Sequence, residues 1–324
     1  MKNILIIGGG AMGSAFSIPC LENKNNVTIT EPYSKIFIKN LSSKNKFHPS
    51  LKISLPNKLK FKRYSKNIFE NKFDLIVIAL SLAGIDFIGK ELKDLKIKTP
   101  LLVLTKGLKY DKKKNKLLTI SNLLKKNYSV SNVSVLKGPC LAKELAKKNK
   151  TSVVIASNNI KIAKWIGNLI STKYYLTEYS KDIIGVEICS AIKNIYAMVI
   201  GSGQNLNTSS GLFQKSIIEM KYLVKYFKGD VATVLGLSGV GDLYVSAAGG
   251  RNSKMGAFIG EGIIFSQAKK TKMPNVTVEG AELIFEIGKK VTEDFNEKEL
   301  PLMIAMIHSI MQDKKLNIKW NFFK

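Results

Sequence analysis

Short apolar runs recur through the first half of the chain at 3–7, 27–30, 74–80, 101–105, 133–136 and 152–156, and none alternates cleanly between apolar and polar positions. Helix-like stretches, such as 15–23 and 117–125, lie between several of them. Strands that are apolar on both faces and separated by helices are what a buried parallel sheet requires. Residues 1–184 are therefore expected to form a doubly wound α/β domain. After residue 184 the period changes. Segments 186–201, 211–227, 254–269, 280–290 and 300–312 have helical length and spacing, and glycines at 236–241 and 249–250 punctuate them. Residues 185–324 read as an all-α domain, and the pattern leaves 314–324 open between a short tail and a packed end. Two domains also suit 324 residues.

Composition changes this picture little. A hydrophobic fraction of 45% with 23% charged residues is that of a globular protein able to bury sizeable cores. The formal charge of +27 raises nucleic acid or an anionic membrane as partners. However, the excess is almost all lysine and is spread along the chain. Its richest runs, 109–116 and 143–150, read as solvated loops and helix ends. No specific nucleic-acid binding is expected, because charge alone gives only nonspecific affinity. Attraction of small anions is the more useful consequence.

Cys20, Cys140 and Cys189 are odd in number and widely spaced, so they make neither a disulfide framework nor a metal-ligand pattern. A reducing, cytoplasmic compartment fits. The N-terminal apolar run is too short for a signal peptide. With no stretch of about 18 uninterrupted apolar residues, no membrane span is expected.

Candidate chemistry begins at Gly8-Gly9-Gly10-Ala11-Met12-Gly13, a G-x-G-x-x-G spacing after an apolar strand and before a helical pattern. In a dinucleotide site Gly8 permits the tight turn, Gly10 lets backbone approach a pyrophosphate, and Gly13 allows close helix–strand packing. The helix N-terminus adds unpaired N–H groups for the phosphates. No Gly-Lys-Ser/Thr follows, which excludes a P-loop. Glu31 ends the second strand, where a carboxylate can bond the ribose hydroxyls of NAD and repel the 2′-phosphate of NADP. Ser34 and Lys35 follow it and can receive that phosphate, so the lean is to NAD with NADP still open.

Further groups stand out by position. Lys106 follows a strand directly, at the edge where α/β sheets hold ligands. Lys193 lies in an otherwise nearly uncharged helix, where desolvation would lower its pKa toward the ~7–8 useful for acid–base work. Snorkelling to solvent is the competing fate of such a lysine. Arg63 and Arg251 are the two arginines in this lysine-rich chain. Arg251 with Asn252 follows two glycines and opens a helical run, a fitting place for a planar fork that grips phosphate. His48 and His308 are expected to lie apart from these groups, so neither a histidine mechanism nor a zinc site is expected.

The strings Thr105-Lys106-Gly107-Leu108, Gly138-Pro139-Cys140-Leu141-Ala142-Lys143-Glu144, Ala191-Ile192-Lys193-Asn194, Gly239-Val240-Gly241-Asp242-Leu243, Gly250-Arg251-Asn252 and Val278-Glu279-Gly280, in this order, resemble the bacterial-type NAD(P)-dependent glycerol-3-phosphate dehydrogenases from about residue 3 to 313. The resemblance implies a Rossmann-like N-terminal domain, an α-helical substrate domain, and a homodimer. It implies reversible reduction of dihydroxyacetone phosphate to sn-glycerol 3-phosphate, a glycerophospholipid precursor. By the same resemblance Lys193 is the acid–base lysine, Lys106 touches cofactor and substrate, and Asp242 is an acidic substrate-site residue. Gly138, Cys140, Gly250, Arg251 and Asn252 match substrate positions. Ala11, Met12, Ala142, Arg251 and Glu279 match cofactor positions.

The chain also departs from the family pattern. Cys140 stands for a usual Ser or Thr, Gly250 for a Ser, Met12 for an aromatic residue, and Lys137 for a common serine. Each lost hydroxyl contact would cost about 0.5–1.5 kcal/mol. Two alternatives therefore stay open: a related reductase of another small 2-oxo or phosphorylated substrate, and a non-catalytic nucleotide-sensing or nucleic-acid-binding protein on the same fold.

Overall fold

The computed structural model describes the chain apart from residues 35–37, 40, 42, 44 and 324. Lys35, weighed above as a phosphate-receiving group, thus lies outside the described residues. Strand β1 (Asn3–Ile7), helix α1 (Ala11–Glu22) and β2 (Asn26–Glu31) open the fold. A short hairpin of β3 (Phe47–His48) and β4 (Ile53–Ser54) leads to β5 (Lys60–Arg63), β6 (Leu75–Ile78), α2 (Ile85–Asp94) and β7 (Leu101–Val103). A second hairpin, β8 (Leu108–Asp111) with β9 (Lys116–Thr119), precedes α3 (Ile120–Tyr128) and β10 (Val133–Lys137). Then come α4 (Ala142–Ala146), β11 (Thr151–Ala156), α5 (Ile160–Ile170) and β12 (Tyr175–Ser180).

The helical remainder comprises α6 (Ile183–Gly201), α7 (Leu206–Tyr226), α8 (Asp242–Ala247), α9 (Arg251–Gly260), α10 (Phe265–Thr271), α11 (Glu279–Asp294) and α12 (Pro301–Met311). The chain divides into two units. One takes Met1–Lys106 and Ile120–Ile183, the other Gly107–Thr119 and Ile184–Lys324.

Among the described residues of the first unit, eight strands form one sheet in the order β12-β11-β10-β7-β6-β1-β2-β5. All neighbours are parallel except β10 and β11. The order follows from the chain running outward from β1 through β2 to β5 and then returning to the other side of β1 at β6. The reversal opens a crevice at the C-terminal ends of β1 and β6, the place where such sheets take ligands. Ile4, Ile6, Leu75, Val77 and Leu102 are fully buried in the core under α1 and α5.

The second unit is built around α6. Residues Val186–Ile200 of this helix are buried all round, which explains why it is apolar without a polar face. By length and hydropathy it is the one described helix suited to cross a membrane, yet it lies inside the unit and carries Glu187, Lys193 and Asn194.

Several elements differ from the reading of the pattern. Residues 117–119 extend a strand rather than a helix, and α3 starts only at Ile120. Leu108 and Leu117 of that hairpin pack into the helical core, and Lys109 pairs with Glu286 of α11 at 3.5 Å. The lysine run 109–116 thus belongs to a hairpin that is docked by its strands, while its turn and residues 112–116 are exposed, as a solvated loop would be. Residues 254–269 make two helices, α9 and α10, because Gly262 turns the chain at φ +87°. The C-terminal segment is a packed end, with Leu316, Ile318 and Phe323 against the second core.

Candidate functional site

The first unit gathers the glycine-rich loop and Glu31 at the β1–β6 crevice. Gly8 adopts φ +112°, and a Cβ there would stand 2.5 Å from the Ala79 carbonyl oxygen beyond β6. A Cβ on Gly13 would stand 2.1 Å from the Gly8 carbonyl oxygen. Side chains are forbidden at both positions, so the loop and the start of α1 press together as a dinucleotide turn demands. Gly10 differs. It is the exposed N-cap of α1, makes no side-chain cap, and a Cβ added to it would meet nothing within 4 Å. The first turn of α1 therefore offers backbone N–H groups across open space, a cradle that fits a pyrophosphate.

The Glu31 carboxylate is drawn into this turn. Its Oε2 accepts the Gly9 N–H at 2.8 Å, and its Oε1 accepts the Tyr33 N–H at 2.8 Å. Ala11 and Met12 are half-buried on the same core as Cys140 and Ala142. Lys106, half-buried, follows Thr105 in the loop just beyond β7, which ends at Val103. Thr105 Oγ1 donates to the Leu80 carbonyl at 2.8 Å, and Leu80 flanks Gly8. Gly138, at φ +125°, follows β10 with Val153 Cα 3.2 Å from where a Cβ would stand.

Lys137, which stands where a serine is common, is 2% exposed, and its ammonium donates to the carbonyls of Thr105 at 2.5 Å and Val103 at 3.2 Å. It therefore ties the end of β10 to the strand end that carries Lys106. A correction concerns His48. Far from lying apart, it is fully buried with Nε2 3.2 Å from the Gly9 carbonyl oxygen. Its pattern gave no warning, because the contact spans 39 positions of sequence. His308 lies in the last turn of α12.

The second unit assembles the other candidates. Lys193, midway along α6 and 5% exposed, donates to Asp242 Oδ1 at 2.8 Å and to Ser246 Oγ. Asp242 is itself buried, and breaking such a pair would strand a charge away from water. The lysine does not snorkel to solvent. A π-helical turn, Leu237–Gly241, delivers Asp242 to the first position of α8, and a Cβ on Gly239 would meet the Val234 carbonyl oxygen at 2.0 Å. Irregular turns of this kind recur at functional sites. Ser246 was not anticipated, although it lies four residues after Asp242 and hence on the same helix face.

Beside this triad runs a polar chain. Asn194 Nδ2 donates to Glu279 Oε2 at 3.2 Å, Asn252 Nδ2 donates to Asn194 Oδ1 at 3.0 Å, and the Gly280 N–H donates to Asn252 Oδ1 at 2.9 Å. Arg251 Nη2 closes it on Glu279 Oε1 at 2.8 Å, with both side chains about half exposed. Arg251, Asn252 and Glu279 are thus joined to Asn194, the chain neighbour of Lys193. Asn194 stands in the singled-out string Ala191-Ile192-Lys193-Asn194, which by itself gives it no role of its own. Gly250 is the N-cap of α9, and a Cβ there would lie 2.6 Å from the Ser246 carbonyl oxygen. The missing hydroxyl at this position has a steric cause: the backbone of α8 comes too close for a serine.

A family model described as NAD-dependent glycerol-3-phosphate dehydrogenase N-terminus matches residues 3–163, and its C-terminal counterpart matches residues 182–319. The chain is 31% identical over 312 residues to the NADP(+)-dependent glycerol-3-phosphate dehydrogenase of Archaeoglobus fulgidus, covering 90% of this chain and 91% of that one. It is 29% identical over 318 residues to a glycerol-3-phosphate dehydrogenase [NAD(P)+] of Francisella tularensis, covering 94% and 91%. The solved glycerol-3-phosphate dehydrogenase of Coxiella burnetii shares the fold with a TM-score of 0.85 at 24% identity, over 97% of this chain and 96% of that one.

Proposed function

The chain belongs to the NAD-dependent glycerol-3-phosphate dehydrogenase family, and from that premise we propose that it reversibly reduces dihydroxyacetone phosphate to sn-glycerol 3-phosphate with NAD(P)H. The first unit is the dinucleotide-binding domain and the second the catalytic and substrate domain. The observation that carries this reading is the buried Lys193–Asp242 pair with Ser246.

When bound along the glycine turn, NAD(P)H supplies the hydride. The protein's work is then to orient a carbonyl and protonate its oxygen. Lys193 donates that proton from Nζ as the alcohol forms, and recovers it in the reverse direction. Asp242 and Ser246 fix the ammonium so that little reorganisation is needed during the transfer. Lys106 stabilises negative charge developing on the oxygen. Arg251 and the uncapped first turn of α9 hold the phosphate, with Asn252 beside them. Gly138 and Cys140 complete the substrate contacts, and Ala142 and Glu279 those to the cofactor. Binding energy from the non-reacting phosphate then lowers the barrier at the carbonyl.

Glu31 favours NADH, because its carboxylate would repel a 2′-phosphate at the same end of β2. The few, widely spaced cysteines Cys20, Cys140 and Cys189 are in keeping with a reducing cytoplasm. A homodimer, testable by light scattering, and supply of a glycerophospholipid precursor complete the proposal. The deciding experiment follows NADH and NADPH oxidation by purified protein with dihydroxyacetone phosphate. Turnover with NADH ahead of NADPH is the expected result. No turnover with either cofactor, in folded protein, would overturn the proposal, and NADPH preference would overturn the role of Glu31.

A further inference from the structure

Gly9 sits between two other glycines, so no side chain packs this stretch of the loop into place. Hydrogen bonds must hold it instead, against the large conformational freedom of glycine backbone. Three converge on the one residue. Its N–H donates to Glu31 Oε2 at 2.8 Å, while its carbonyl oxygen accepts from Ser14 Oγ at 2.8 Å and faces His48 Nε2 at 3.2 Å. Glu31 ends β2, and Ser14 lies in α1, the helix that follows the glycine turn. His48 comes from the separate β3–β4 hairpin, where it pairs with Ile53.

The protonation state of His48 follows from its second nitrogen. Nδ1 accepts the Leu51 N–H at 3.2 Å, and a ring nitrogen that accepts carries no proton. The proton is therefore on Nε2, and the ring donates to Gly9. Burial acts in the same sense, pushing the His48 pKa below its ordinary value.

We propose that His48 is a positioning residue of the nucleotide site: its Nε2–H fixes the Gly9 carbonyl and so sets the glycine turn for the pyrophosphate of NAD(P)H. The inference rests on the dinucleotide reading of that turn. A loop held in the bound conformation need not be ordered when the ligand arrives, so the contact acts on affinity.

Two substitutions separate the two ring nitrogens. In His48→Gln the amide nitrogen can take the place of Nε2 and still donate to Gly9. In His48→Asn the shorter amide can serve Leu51 but does not reach Gly9. Equilibrium binding of NADH, followed by its fluorescence, is measured for wild type and both variants after thermal melts establish folding. The expected outcome is an NADH Kd within about twofold of wild type for Gln and about three- to tenfold weaker for Asn. Equal NADH affinity in all three proteins, or equal loss in Gln and Asn, would overturn the proposal. Should the variants not fold, the wild type still decides. Its two histidines allow the His48 ring to be followed by nitrogen NMR. An Nε2–H ring whose resonance shifts when NADH is added supports the proposal, whereas an Nδ1–H ring or a resonance indifferent to NADH overturns it. Wild-type protein that binds neither NADH nor NADPH would overturn the dinucleotide reading itself, and this inference with it.

Discussion

Lys193 is held by a carboxylate and a hydroxyl from a single short helix, so its replacement removes a proton donor without touching the glycine turn. Lys193→Ala is expected to lower kcat by about 10²–10⁴-fold, the usual worth of a positioned acid or base. NADH affinity measured by fluorescence should stay close to wild type. A variant that instead loses cofactor binding with unchanged kcat would contradict the assigned role. Gly250 gives a second expectation, since restoring the family's serine there looks at first like a repair. With a Cβ 2.6 Å from the Ser246 carbonyl oxygen, Gly250→Ser forces α8 and α9 apart. It should cost about 1–3 kcal/mol of stability, as overpacking does, and raise KM for dihydroxyacetone phosphate. Denaturant melts and steady-state kinetics check both effects.

Helices α6, α7 and α12 meet at one buried carboxylate. Glu219 of α7 accepts the Leu302 and Met303 N–H groups at 2.8 and 3.1 Å, capping the N-terminus of α12, and accepts the Tyr196 hydroxyl of α6 at 3.1 Å. Burial pushes its pKa up to about 7, with the two backbone donors only partly opposing the shift. The folded chain therefore holds a proton that the unfolded chain, titrating near 4.5, has already released. The resulting stability is fully present below the unfolded value and is lost as pH rises through about 7. Unfolding midpoints should fall between those limits in wild type, whereas Glu219→Gln should flatten that dependence while costing about 1 kcal/mol at its start.

The same elements show what the sequence could and could not disclose. The six apolar runs of the first half became strands because burial on both faces leaves a strong local signal. The strands β5 and β12, Lys60–Arg63 and Tyr175–Ser180, carry too many polar residues for that signal, as edge strands do. Lys193, Asp242 and Arg251 were legible from their chemistry and motifs. Ser246 and His48 were not, because their meaning lies in partners brought close by the fold, and Asn194 was visible only as part of a motif, without its partners.

For the molecule as a whole, a formal charge of +27 creates a field that draws phosphorylated anions toward it. kcat/KM for dihydroxyacetone phosphate should fall by about threefold or more when ionic strength rises from about 0.02 to 0.3 M, as screening shortens that field. An activity indifferent to salt would mean that the surface lysines contribute nothing to capture. The division of the backbone has a different consequence. Because Gly107–Thr119 belongs with the helical unit, the covalent chain leaves the sheet unit, returns to it, and leaves again. A gene chimera spliced only near residue 184 would carry a foreign helical unit against the native hairpin, separating Lys109 from Glu286 and Leu108 from its core. Recombination between relatives is thus constrained to move the hairpin and the C-terminal segment together, or to keep their shared interface unchanged.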